Sequence, residues 1–295
     1  MDFYSTVMVA VGSVSLVLAL LLSIGSIVTI IAIAKNPLHL THKPVDRITQ
    51  VMIALFFLAG TIYLPFFGVS EILRGTKNTK GTESFPSFMF VVADFFIGSK
   101  LLLQLLLQIE RFAAYSQPHF HRARFTKRRT TLLSVLLVAF SLLFSLLAFT
   151  GLSERIYHGV FIHLFASCSW LAFITVSWLT YQNLKNRRTR VVADEVNQVP
   201  QLREKTELER ARNALGARKY LIQVVVMFFP FVLTILPWYI IKFIDSVCDI
   251  SLASNARFFW QRFMVPLAFV TDVCFLLFII FKEYINTIRF IFCNG

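Results

Sequence analysis

The sequence predicts an all-α membrane protein, a bundle of seven transmembrane helices with the N-terminus outside the cell and the C-terminus in the cytoplasm. The first reason is composition, since 57% of the 295 residues are hydrophobic and only 15% are charged. That is more apolar surface than one water-soluble core can bury. The other two reasons are the spacing of the apolar stretches and the distribution of the basic residues between them.

Seven apolar stretches are each close to the roughly 20 residues that a helix needs to cross the hydrocarbon core of a bilayer. They lie near 8–34, 49–73, 87–112, 131–152, 157–181, 220–244 and 263–281. We expect them to form a single domain that covers residues 1–295. One long connection, 182–219, is predicted to be a cytoplasmic loop. An odd number of crossings places the two ends of the chain on opposite sides of the membrane.

The orientation follows from the basic residues, which are retained on the cytoplasmic side of membrane proteins. With the N-terminus outside, most of the 29 Lys and Arg residues fall in cytoplasmic connections. The net charge of +13 is therefore explained by membrane topology. It also favours contact with the anionic lipids of the inner leaflet. Nucleic acid is not expected as a partner.

The cysteines and histidines give no pattern typical of an enzyme or a metal site. Cys168 and Cys274 fall within predicted spans, Cys248 lies near the outer end of the sixth, and none has Cys-x-x-Cys spacing. We therefore expect no catalytic residue, no metal and no cofactor. Cys293, close to two phenylalanines, is a candidate for lipidation at the membrane surface. An unmodified thiol is the alternative.

The third stretch ends in Glu110-Arg111-Phe112, and Pro118 follows seven residues after the arginine. An ionisable pair is costly to hold at the mouth of a membrane helix, so such a pair more often marks function than packing. The pattern indicates a switch rather than the active site of an enzyme.

The sixth stretch contains a second candidate element, Phe231-Val-Leu-Thr-Ile235-Leu-Pro237-Trp238. Proline removes a backbone hydrogen bond and clashes with the preceding turn, so the helix should bend at Pro237. The cytoplasmic half of the helix could then swing as a lever. The alternative is a kink that the membrane helix merely tolerates.

Together these residues resemble the motifs of rhodopsin-like G-protein-coupled receptors. Glu110-Arg111-Phe112 with its distal proline is similar to the family's Asp/Glu-Arg-Tyr motif, and 231–238 is similar to Phe-x-x-Cys-Trp-x-Pro. The resemblance implies that Arg111 pairs with Glu110 in the inactive state and meets a heterotrimeric G protein in the active state. It also implies a helix-six pivot at Phe231 and Ile235, and a multi-pass receptor in the plasma membrane.

The chain departs from the family's pattern at several positions. Phe57 stands where an aspartate usually anchors a sodium ion, and Pro86 stands where an outer cysteine is expected. In helix seven, 275–279 replaces the family's Asn-Pro-x-x-Tyr without its proline or tyrosine.

A buried charge pair is predicted where the family holds its ion. Lys100 lies in the middle of the third stretch, and an isolated ammonium at that depth costs several kcal/mol. The acidic residue expected at comparable depth in another helix is Asp272, so we predict that the two residues pair. The alternatives are a partner among helix-two carbonyls or water, or a different register of helix seven. Lys100 shares a helical face with Gln104, Gln108 and Arg111, which predicts a polar stripe toward the cytoplasm.

Candidate ligand-binding residues are the few polar or amphipathic side chains in the outer half of the predicted bundle, where aromatic and aliphatic residues dominate. They are Asp94, His163, Trp238, Tyr239 and Lys242. The lining favours a small hydrophobic or amphipathic ligand. For Asp94, the alternatives to ligand binding are a place in a local hydrogen-bond network and a contact with Lys242 or a histidine.

Three classes of function stay open on the sequence alone. The first is a G-protein-coupled receptor for a small molecule. The second is a chemosensory seven-helix receptor of taste, odorant or pheromone type. The third is a channel, transporter or non-signalling membrane scaffold, which would be expected to show inverted repeats or broken helices.

Overall fold

The computed structural model describes residues 3–35, 44–77, 84–150, 168–169, 171–183, 262–263 and 266–277. Over these ranges the chain is helical and contains no strand, in agreement with the predicted all-α class. We number the described helices in chain order. They are α1 (Phe3–Lys35), α2 (Pro44–Leu58), α3 (Leu64–Lys77), α4 (Ser84–Ser116), α5 (Pro118–Arg124), α6 (Lys127–Leu146), α7 (171–183) and α8 (Pro266–Leu277).

Four segments of the described chain are long and apolar enough to cross a membrane. They are Phe3–Ile31, Arg47–Thr76, Val91–Ala114 and Lys127–Phe149. Each overlaps one of the first four predicted stretches. In the fifth stretch the described helix α7 continues to residue 183, two residues into the predicted loop. The sixth stretch and the rest of the predicted loop lie outside the described residues. The lengths and apolar composition of these helices indicate a membrane protein.

Helix α6 shows the polarity of a helix whose solvent is lipid. Its buried side carries hydroxyl residues, whereas the outer side carries leucines such as Leu136 and Leu143, which are 55% and 66% exposed. A soluble protein would place these residues the other way round. Ser141 on the buried side donates a hydrogen bond of 3.1 Å to the carbonyl of Phe95 and so fastens α6 to α4.

Helices α2 and α3 form one rod that is interrupted by a π turn at Ala59–Tyr63. The cause lies in Pro65, which has no N–H to donate and whose ring crowds the carbonyl four residues earlier. The turn widens in response, and the N–H of Leu64 bonds the carbonyl of Ala59, five residues back. π turns of this kind are frequent at functional sites.

Helix α1 packs directly against α3 through glycines. A Cβ added at Gly12 would lie 2.6 Å from the carbonyl oxygen of Gly68, and one added at Gly68 would lie 2.8 Å from that of Gly12. Small residues at such crossings let two membrane helices approach closely and gain dispersion contacts.

Helix α8 lies among α1, α2, the π turn and α4. Leu276 is 1% exposed and lies against Gly25 of α1. The ring of Phe275 meets that of Phe56 edge to face, with centroids 5.9 Å apart. Because α8 is covered on several sides, its polar residues must find partners inside the protein.

Candidate functional site

The structure brings Lys100 of α4 and Asp272 of α8 together as an ion pair. Both are buried, with 4% and 2% of their surface exposed. The ammonium also donates to the hydroxyl of Thr271 and lies 3.4 Å from the carbonyl oxygen of Ala268. All of these acceptors belong to α8, whereas one alternative considered from the sequence was a carbonyl of the second helix.

This arrangement supplies an acceptor for each of the three protons of a lysine ammonium. Thr271 extends the network, because its hydroxyl donates over 2.8 Å to the carbonyl of Ala268 and lies 3.2 Å from Asp272 Oδ1. Removing one member of a buried ion pair leaves an uncompensated charge, at a cost of about 3–5 kcal/mol. The pair therefore fixes the position of α8 against α4.

Below the ion pair, α4 buries a series of further polar side chains, two of which share the face of Lys100. Gln104 and Gln108 follow Lys100 at successive turns and are 6% and 0% exposed. Glu110 is 2% exposed, and Arg111 beside it is partly buried. At 1.5 Å per residue the series extends about 15 Å along α4. A polar interior of this length costs desolvation energy that apolar residues would avoid, which points to function.

The series ends at a contact between Glu110 and His121. Glu110 Oε1 lies 2.6 Å from His121 Nε2, and the imidazole stacks on the ring of Phe125 with centroids 5.4 Å apart. The resemblance implies Arg111 as the partner of Glu110, and sequence reasoning did not consider His121. The contact joins the end of α4 to α5.

The chain between α4 and α5 explains how His121 reaches Glu110. Gln117 leaves the helical conformation, and Pro118 is the first residue of α5, where its fixed φ and missing N–H are tolerated. The chain changes direction at Gln117, and His121 in the first turn of α5 comes into contact with Glu110 near the end of α4. The signal in the sequence was a buried carboxylate followed within twelve residues by two histidines, of which the second faces it.

A second ion pair attaches the chain just before α8 to α3. The guanidinium of Arg262 bonds Glu71, which is 2% exposed, and Arg74 Nη1 lies 3.6 Å from Glu71 Oε1. This cluster was not predicted. A glutamate three residues before an arginine usually indicates a local pair on a helix surface, and only the fold shows that a distant arginine completes it.

An aromatic cluster packs next to these charges. The ring of Tyr63, in the π turn, has centroid distances of 5.9, 5.6 and 5.7 Å to Phe67, Phe96 and Phe269. Its hydroxyl donates a 3.1 Å hydrogen bond to the carbonyl of Met89. Asp94, the candidate ligand residue in α4, is buried near the same end of that helix. Aromatic rings therefore fill the interior of the part of the bundle that the sequence analysis predicts to be its outer half.

The other predicted site residues lie outside the part of the chain that the structure describes. They are His163, Phe231, Ile235, Pro237, Trp238, Tyr239, Lys242 and Cys293. Phe112 is described and is partly buried beside α5. Among the described residues, no group of three or more His, Cys, Asp or Glu side chains could hold a metal ion.

The arrangement is a set of charge contacts between helices, and such contacts can exchange partners when helices move. No protein-family model matches this sequence, and no curated protein matches it significantly. A function therefore has to be inferred from the residues themselves.

Proposed function

We propose that this chain is a divergent rhodopsin-like G-protein-coupled receptor with seven membrane-spanning helices. It resides in the plasma membrane with its N-terminus outside. It transmits the binding of a small hydrophobic or amphipathic ligand to a heterotrimeric G protein. The sequence motifs around Arg111 and Pro237 and the excess of basic residues on one side support this assignment.

The observation that carries the proposal is the buried polar series on α4. It begins at the ion pair of Lys100 with α8 and ends at Glu110, which His121 contacts next to Arg111. A membrane helix with a purely structural role does not need buried polar residues, because apolar side chains pack against lipid and neighbouring helices without a desolvation cost. A signalling helix needs groups that respond to a distant change, and charged contacts with two alternative partners do this.

The proposed mechanism starts in the outer half of the bundle, where Asp94 and the aromatic cluster around Tyr63 adjoin α8. A ligand that binds better to one arrangement of α8 than to the other shifts the population between them. Because Lys100 holds α8 to α4, the shift reaches the polar series. At the cytoplasmic end of the series, Arg111 exchanges partners as the sixth predicted span, 220–244, swings about the bend expected at Pro237.

The test is second-messenger signalling in cells that express the chain with promiscuous G proteins. A panel of amines, lipids and odorants serves as the stimulus. We compare Arg111→Ala with Arg128→Ala, which removes an exposed arginine at the start of α6. Surface expression of each variant is measured by an epitope tag, so that loss of folding is distinguished from loss of signalling.

We expect Arg111→Ala to abolish the response and Arg128→Ala to preserve it. An unchanged response in Arg111→Ala at equal surface expression would remove the mechanism. A response confined to odorants would favour the chemosensory receptor. No response to any compound class would favour a non-signalling scaffold or a transporter.

A further inference from the structure

A groove of about 650 Å³ lies where α4, α5 and α6 meet. Its apolar wall includes Ile109, Phe120 and Leu133, which are 39%, 49% and 41% exposed. The volume falls in the range of about 300–1,000 Å³ that is typical of small-molecule sites. The groove lies at the ends of two membrane-length segments, so membrane lipid is the molecule with most direct access to its wall.

Two arginines give the groove a positive charge. Arg124 ends α5 and Arg129 lies in the first turn of α6, and both line the groove and are exposed. Arg129 Nη1 donates over 3.2 Å to the carbonyl of Ala123, which holds its guanidinium beside α5. A guanidinium has five N–H donors, so others remain to bind an anion. An acidic side chain is not among the residues that line the groove.

An independent observation comes from Thr130, which also lines the groove. Its side chain is 2% exposed, and its hydroxyl oxygen has no hydrogen-bond partner among the described residues. A buried hydroxyl without a partner costs free energy, and a bound ligand or an ordered water would remove that cost. Thr130 lines the same groove as the apolar wall and the two arginines.

We propose that this groove binds an anionic glycerophospholipid of the inner leaflet. The three observations match the three chemical parts of such a lipid. An acyl chain covers the apolar wall, the phosphate is held by Arg124 and Arg129, and an ester carbonyl accepts from the hydroxyl of Thr130. Lipid binding at this groove rests on the membrane orientation in the proposed function but not on signalling.

A lipid bound in this groove would also affect the polar series on α4. Helix α5 carries both Arg124, at the groove, and His121, which contacts Glu110. A lipid that holds α5 against α4 and α6 therefore also holds the Glu110–His121 contact. The state of that contact, and of Arg111 beside it, would then depend on the composition of the inner leaflet.

The test is native mass spectrometry of the full-length protein, purified in detergent and incubated with phosphatidylserine or phosphatidylcholine of the same acyl chains. We expect retained phosphatidylserine to exceed phosphatidylcholine several-fold. A basic residue near an anionic membrane surface contributes about a fivefold change in binding, so Arg124→Gln should lower retention by about that factor. The matched control is Arg122→Gln, since Arg122 is exposed on the same helix but does not line the groove.

A second pair of variants tests the apolar wall. Leu133→Trp should fill the groove and reduce retention of phosphatidylserine, whereas Leu132→Trp, on an exposed position outside the groove, should not. Thr130→Val keeps the shape of the side chain and removes the hydroxyl, and should also weaken retention.

Three results would overturn the proposal. Equal losses in Arg122→Gln and Arg124→Gln would show a diffuse surface charge. Displacement of phosphatidylserine by millimolar inorganic phosphate would show a simple anion site. Unchanged retention in Leu133→Trp would show that no acyl chain occupies the groove. A chain that retains phosphatidylserine selectively but never signals would keep this proposal and overturn the proposed receptor function.

Discussion

The ion pair between Lys100 and Asp272 gives the sharpest prediction. Lys100→Met leaves a buried carboxylate, and Asp272→Leu leaves a buried ammonium. Because both residues are at most 4% exposed, we expect each single change to cost about 3–5 kcal/mol. Replacing both residues by apolar ones of similar size removes both charges together, and such replacements are often neutral or stabilising.

The assay is a double-mutant cycle on the purified protein in one detergent. Each variant is expressed as a fluorescent fusion, and the fraction that stays monodisperse after heating is measured against temperature. The double variant should recover most of the stability lost in either single variant. Lys127→Met, at an exposed position of α6, serves as the matched control and should change little.

Additive losses would contradict the ion pair. If the decreases in midpoint temperature of the two single variants simply sum in the double variant, the two side chains do not interact in the folded protein. A double variant that is less stable than either single variant would lead to the same conclusion.

Three further predictions concern contacts that the structure adds. Glu71→Gln should destabilise the protein by about 3 kcal/mol, because it leaves the guanidinium of Arg262 without its carboxylate; the thermal assay checks this. Gly68→Leu should prevent close packing of α1 and α3 and abolish monodisperse expression, which size-exclusion chromatography of the fusion measures. His121→Phe keeps the stack on α5 but removes the contact to Glu110, and should change ligand-independent second-messenger levels at equal surface expression; unchanged levels would separate that contact from signalling.

The features that could be predicted from the sequence depend on hydrophobic length and on the cost of isolated charges. The first four stretches could be located because about 20 apolar residues in succession have few other uses. Lys100 and Asp272 could be proposed as partners because an ammonium at membrane depth needs a carboxylate and few were available. Prediction by elimination of this kind requires that candidate partners be rare.

Features that depend on the path of the chain could not be predicted. His121 contacts Glu110 because of the direction in which α5 leaves Pro118, and several basic residues nearby were equal candidates. Glu71 had an apparent local partner in Arg74, so nothing in the sequence indicated Arg262. The π turn at Ala59–Tyr63 follows from Pro65, but a proline in a membrane helix is compatible with a kink, a π turn or a break.

Both proposals rest on a membrane orientation that puts the end of α4, with Arg111 and the groove, inside the cell. The direct measurement is antibody staining of cells that carry one epitope tag at the N-terminus and another at the C-terminus. We expect the N-terminal tag to stain intact cells and the C-terminal tag to stain only after permeabilisation. Staining of both tags on intact cells, or of neither, would contradict this orientation.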